Sequence, residues 1–283
     1  MSFRLNTGHN IPLVGFGTYT INGNKQTKLI MDQALSVGYR LFDTAKMYSN
    51  EAEIGKALKD LLPKHNLTRK DVFITTKLYP SDQGDVAYDA FQESLKKLDC
   101  EYIDLFLIHW PGTWSQGTEK PSKLRDRSWQ LMAKAYQEGL VKNIGVSNYT
   151  VKHLKELLAN DHGVKPTVNQ IEWHPYYHPQ DVYDFCKEQN ILLQAYMPLG
   201  SGSKHLLNDK VVSNVAKELG KTNAQILLKW SVQQGVGVIP RTISEQHMKE
   251  NFDLNFTIPD KHMQMLSNMN KTVKYDWDPE TVP

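Results

Sequence analysis

YRLFDTAKMYSNEAEIGKALKDLL, residues 39–62, reads as one structural unit. RLFDTA (40–45) is a short apolar run of strand length, and EAEIGKALKDLL (51–62) repeats its apolar residues at helical spacing. Asn50 and Glu53 stand at the spacing of a capping box, which places the helix start. The strand also runs directly into Asp43, with Lys46, Tyr48 and Glu51 close behind. A buried strand has no need of these groups for its own stability.

The same unit recurs along the chain. Strands are expected at LVGFGTY (13–19), RLFDTA, VFITTKL (72–78), DLFLIHW (104–110), NIGVSN (143–148), TVNQIEW (167–173), ILLQAYM (191–197) and VGVIPRT (236–242). Amphipathic helices such as AYDAFQESLKKL, SWQLMAKAYQEG, VKHLKELLAN and NAQILLKWSVQQG lie between them, the last with Thr222 and Gln225 as a second capping box. Most of the strands are almost wholly apolar, as in a parallel sheet buried on both faces. FRLNTGHNIP (3–12) reads as a hairpin turning at Asn6–His9. Eight strand–helix units with no Pro/Gly/Ser linker predict a single domain over residues 1–283. Its fold class is α/β, a (β/α)8 barrel with an N-terminal hairpin cap. A doubly wound sheet is the competing arrangement.

At 283 residues, with 40% apolar and 23% charged residues, the composition is that of a globular protein and argues against disorder. A net charge of +2 provides no electrostatic reason to expect nucleic acid or an anionic membrane as partner. Two cysteines, Cys100 and Cys186, are too few for a disulfide scaffold. MSFRLNTGHN lacks the apolar core of an export signal, and no apolar run reaches membrane-span length, so the expected location is the cytosol.

Three motifs fail on inspection. Gly15-Phe16-Gly17 follows a strand as a dinucleotide fingerprint would, but Thr20 occupies the third glycine position and no helix opens there. Gly220-Lys221-Thr222 imitates the end of a P-loop whose upstream glycine is Val215. His174 and His178 have the helical spacing of metal ligands, but Pro175 and Pro179 exclude the helix, and no metal site is expected.

In a barrel, function gathers at the carboxyl ends of the strands. Asp43 and Tyr48 follow strand two, Lys77 ends strand three and His109 ends strand four. Singly, each has a bland reading as a helix cap, a snorkelling lysine or a packed histidine. Together they suit protonation of a carbonyl oxygen. Asp43 would keep Lys77 charged, Lys77 would lower the Tyr48 pKa, and His109 would orient the acceptor. No side chain supplies hydride, so a nicotinamide is the natural reductant.

These residues sit in a series of motifs, DTAKMYSNE, TTKL, LIHWP, EGLVKNIGVSNY, NQIEWHP, QAYMPLG and VIPRTISEQHMKEN, whose order and register resemble the aldo-keto reductases over nearly the whole chain. The resemblance implies a barrel that binds NADPH without a Rossmann fold and reduces small-molecule aldehydes and ketones, usually as a monomer. It places the catalytic tetrad on Asp43, Tyr48, Lys77 and His109, with Tyr48 as proton donor. It assigns Ser147, Asn148 and Gln170 to the nicotinamide carboxamide and Tyr196 to its ring. Leu199, Arg241, Thr242, His247, Glu250 and Asn251 would hold the rest of the cofactor. The chain departs from the family pattern at His247, where an arginine usually helps to grip the 2′-phosphate. An imidazole is largely uncharged at neutral pH, so NADH would be accepted too, but more weakly. Met197 replaces a frequent serine after the stacking tyrosine, and the loop around it is short, so a weaker hold on the cofactor is expected.

Tyr19, Tyr79, Trp110 and Trp277 are expected to wall the substrate site, with GTWSQGTEKPSKLRDRS (112–128) as a compact excursion beside it. Two rival functions remain open. One is a silent cofactor-binding module of the same family. The other is a Schiff-base lyase on Lys77, which would need that lysine neutral.

Overall fold

The computed structural model describes residues 1–114 and 117–283. Two short strands, β1 (Ser2–Arg4) and β2 (Asn10–Pro12), form the expected antiparallel hairpin. Eight parallel strands follow in sequential order: β3 (Phe16–Gly17), β4 (Leu41–Asp43), β5 (Phe73–Leu78), β6 (Leu105–Ile108), β7 (Ile144–Ser147), β8 (Val168–Glu172), β9 (Leu192–Tyr196) and β10 (Gly237–Val238). The sheet curls back on itself. Val238 N donates to Leu13 O at 2.7 Å, Gly15 N to Val238 O at 2.8 Å and Gly17 N to Pro240 O at 3.1 Å, so the last strand pairs with the first. This is the (β/α)8 barrel, and the doubly wound alternative is excluded.

The strands are shorter than the apolar runs that announced them, with residues lost at both ends in β3 and β8 and only at the amino end in β5. Every residue of β5 and of β6 is buried, as a sheet covered on both faces requires. The helices are α1 (Asn24–Val37), α2 (Glu51–Lys64), α3 (Ala87–Lys97), α4 (Pro121–Gln137), α5 (Val151–Ala159), α6 (Gln180–Glu188), α7 (Lys204–Leu207), α8 (Lys210–Leu219), α9 (Asn223–Gln233), α10 (Glu245–Phe252) and α11 (Asp260–Ser267). In α3 the buried face is Ala87, Ala90, Phe91 and Ser94, the i, i+3, i+4, i+7 stripe. α4 starts well before the expected Ser128. Pro121 at its first turn has its φ preset for a helix and needs no N–H partner there, so much of the segment 112–128 is helix. Ser115 and Gln116 of that segment lie outside the described residues.

The P-loop imitation is also explained. Gly220, at φ 61°, closes α8, and Thr222 opens α9 with its capping box. The other expected capping box is corrected. Asn50 precedes α2 but makes no cap. Its side chain is fully buried and donates to Thr18 O and Ile21 O at 2.9 Å, tying the loop after β3 to the loop after β4.

The hairpin plugs the amino-terminal end of the barrel. Asn6 Nδ2 donates to Pro166 O at 2.9 Å, and Thr7 Oγ1 donates to Asn143 Oδ1 at 2.5 Å, both just ahead of barrel strands. The opposite end stays open.

Candidate active site

At that open end the parallel register decides which side chains meet. Asp43 pairs with Thr75, which puts Lys77 two residues further up the neighbouring strand. Lys77 is fully buried and spends all three ammonium donors: on Asp43 Oδ1 at 2.6 Å, Thr44 O at 2.9 Å and Tyr48 Oη at 3.2 Å. Burial is the largest influence and works against the charge, but Asp43 and Tyr48 together prevail and hold the ammonium pKa above the ordinary lysine value. A Schiff-base role, which needs a free neutral amine, does not fit this geometry. Gln170 Nε2 donates to the second oxygen of Asp43 at 2.8 Å.

Tyr48 ends a 3-10 turn (Lys46–Tyr48), which the left-handed Ser49 closes at φ 56°. The Lys77 ammonium lies 4.8 Å from its ring centroid. The expectation that Lys77 lowers the phenol's pKa is corrected. Burial is the largest influence and raises it, and the nearby ammonium takes back only part of that rise. Tyr48 therefore keeps its proton at neutral pH. His109 follows β6 directly, with its ring 5.9 Å from that of Tyr48. Burial, then the charge of Lys77, push its pKa well below the usual histidine value, so the imidazole is neutral. Its Nδ1 is buried without a partner among the described residues. Both rings show part of their surface to the cavity and are enclosed by protein elsewhere.

Beside this cluster, Ser147 Oγ donates to Gln170 O at 2.8 Å. Asn148, left-handed at φ 63°, donates to His109 O at 3.1 Å and accepts from Tyr196 Oη at 2.7 Å. A single cavity of about 1020 Å³ runs from Asp43, Tyr48 and His109 past Ser147, Asn148, Gln170, Tyr196 and Leu199 to Arg241, Thr242, His247, Glu250 and Asn251. That exceeds what a small carbonyl compound fills and leaves room for a ligand of cofactor size. At the far end α10 opens with Ser244 as N-cap, its hydroxyl accepting from His247 N, and Arg241 Nε donates to Tyr19 O at 3.2 Å. Gly17 borders the cavity, and a side chain is excluded there because a Cβ would stand 2.8 Å from Ile239 O.

Of the expected walls, Tyr19, Trp110 and Trp277 line the cavity. Tyr79 does not. It stands behind Trp114, ring to ring at 5.4 Å, and Trp114 takes the wall position. Trp277 packs edge-on against Trp114 at 5.3 Å and Trp110 at 6.1 Å. Sequence reading missed Trp114, Gln194, which accepts from Gln170 Nε2 at 2.9 Å, and Asp276, which borders the cavity. Gln194 alone carried a signal, as a polar residue inside an apolar strand. His174 Nε2 meets Glu172 Oε1 at 3.0 Å, and among the described residues no group of three His, Cys, Asp or Glu side chains is placed to hold a metal ion.

The Aldo/keto reductase family model matches residues 13–271. The chain is 37% identical over 280 residues to the glyoxal reductase of Bacillus subtilis, covering 98% of this chain and 95% of that protein. It is 34% identical to the NADP-dependent D-sorbitol-6-phosphate dehydrogenase of Malus domestica, covering 94% and 93%. An aldo-keto reductase from a Medee basin deep-sea metagenome library superposes with a TM-score of 0.91 at 36% identity over 100% of both chains. Sequence and barrel thus agree: the chain belongs to the aldo/keto reductase family, enzymes that act on carbonyl and alcohol groups.

Proposed function

We propose that the protein reduces aldehydes and ketones to alcohols with NADPH, and that Tyr48 supplies the proton. The observation that carries this reading is the contact of the Lys77 ammonium with both Tyr48 Oη and Asp43. A phenol that keeps its proton in the resting site can give it up only as a stronger base forms. The alkoxide developing on a reduced carbonyl is such a base. The fixed charge of Lys77 stabilises the phenolate left behind. Neutral His109 offers an N–H to the carbonyl oxygen and does not compete as an acid.

The residues along the cavity fit the dinucleotide, which supplies the hydride when bound. Gln170 has its amide nitrogen committed to Asp43 and Gln194, so it would offer a carboxamide the acceptor Oε1. Ser147 and Asn148 stand next to it, and Tyr196 supplies an aromatic face. Arg241 keeps a permanent charge suited to the 2′-phosphate, and Thr242, Ser244 and the first turn of α10 add donors near it. With His247 as the second group, NADPH is preferred and NADH is used less well.

Following NADPH absorbance with a set of aldehydes tests the reading. Tyr48→Phe should lower turnover by about 10²–10⁴-fold, the usual worth of a positioned general acid, with NADPH binding retained in a fluorescence titration. Undiminished turnover in this variant would overturn the proton-donor role.

A further inference from the structure

The tail beyond α11 brings a carboxylate to the cavity. Glu172, the last residue of β8, is buried and gathers that tail: Tyr275 N donates to its Oε1 at 2.7 Å, while Asp276 N and Lys274 Nζ each donate to its Oε2 at 3.0 Å. Burial opposes the charge on Glu172, but the bonds from His174, Lys274 and Tyr275 prevail and hold its pKa below the usual carboxylate range. The clasp is therefore ionised at neutral pH. It fixes the backbone of Asp276, and Asp276 Oδ1 accepts from Trp277 N at 2.9 Å, next to the tryptophan wall.

Asp276 is half-buried and borders the cavity. Its charge reaches both tyrosines of the site. For Tyr196, after burial, it is the next cause that raises the phenol, and for Tyr48 it adds to the rise. Nothing cancels it. Lys274 is taken by Glu172, and among the described residues Asp276 has no ion-pair partner. Asp43 is neutralised by Lys77, His109 is uncharged, and Arg241 belongs to the α10 end, where a cofactor phosphate would claim it. Among the described residues the carbonyl end of the cavity thus carries one uncompensated negative charge.

We infer that Asp276 is a specificity-determining residue that screens substrates by charge, admitting neutral and cationic carbonyl compounds and rejecting those bearing a carboxylate or phosphate. The inference rests on the carbonyl-reductase reading and narrows it. Keto acids and sugar phosphates fall outside the substrate class, whereas dicarbonyls, aryl aldehydes and uncharged sugars fall within it. The physical cause is like-charge repulsion in a partly desolvated pocket, where it is much stronger than in water.

The test compares 4-carboxybenzaldehyde with its methyl ester, a neutral aldehyde of nearly the same shape. With wild type and NADPH, kcat/KM for the ester should exceed that for the acid by about tenfold or more, and the ratio should shrink as salt is added. In Asp276→Asn, which keeps an acceptor for Trp277 N, the ratio should fall to about twofold, with the change carried by the acid. In Asp276→Lys the acid should become the better substrate. A ratio unchanged in both variants overturns the inference while leaving the carbonyl-reductase reading intact. Failure of wild type to reduce either aldehyde overturns that reading, and the inference with it.

Discussion

Two asparagines at opposite ends of the seventh strand have opposite fates. Asn143, just before β7, is buried at the plugged end. It accepts from Thr7 Oγ1 and donates to Asp104 O at 2.8 Å, so its amide closes a seal between hairpin and barrel. Asn148, just after β7, takes a left-handed backbone and turns its amide toward the cavity, between His109 O and the Tyr196 hydroxyl. The contrast extends to the neighbours of each. At the plugged end hydrogen bonds join one segment to another and leave little to offer a ligand. At the mouth a buried ammonium, a protonated phenol and an imidazole whose Nδ1 has no partner among the described residues are held together. Such an arrangement is costly for a fold to keep. Its presence at the mouth marks that end as the working one.

The largest expected effect comes from Lys77→Met. It leaves Asp43 buried and uncompensated, which should cost about 3–5 kcal/mol in denaturant unfolding and abolish turnover. The double variant Asp43→Asn/Lys77→Met should regain much of that stability but none of the activity. Recovered activity would erase the distinction between the two ends. Next, Arg241→Ala should weaken NADPH binding by about 10- to 100-fold, the worth of hydrogen bonds to a charged group, and NADH binding by far less. Equal losses would mean that the 2′-phosphate is held elsewhere. At the plugged end, Asn143→Ala should cost about 1–3 kcal/mol of stability by stranding the partners of its amide, with kcat/KM unchanged in the protein that remains folded. A loss of activity there would show that the two ends are coupled. The smallest effect concerns pH. With the His109 pKa held well below its usual value, the ring stays neutral as pH falls, so turnover should stay level between about pH 6 and 7, where an ordinary histidine titrates. The decline should come on the alkaline side, above the ordinary phenol range of about 10, as Tyr48 loses the proton it must donate. An inflection near neutrality would contradict the enclosed site described here.

Much of this was legible in the chain, for local reasons. Eight alternations of strand and helix period specify the barrel, because side-chain spacing alone tells which face is buried. Asp43, Lys77 and His109 stand out because apolar strands have no packing use for a charge or an imidazole at their ends. What stayed hidden depends on contacts between distant segments. Asn50 reads locally as a helix cap and becomes a tie between two loops only when Thr18 lies beside it. Tyr79 is displaced from the cavity by Trp114, a residue with no periodic signature.

By itself, the order of residues determined the architecture, the location of the polar mouth and the identities of the four groups gathered there. Only the tertiary structure decided their states. Whether Tyr48 is more or less acidic than a free phenol depends on desolvation and the carboxylates of Asp43 and Asp276 set against one ammonium, and that balance exists only after burial. Likewise, the clasp of Glu172 on Asp276 joins residues 104 positions apart, and Gln170 reaches Asp43 across 127. Local periodicity records which way a side chain points, but not which distant group it will meet.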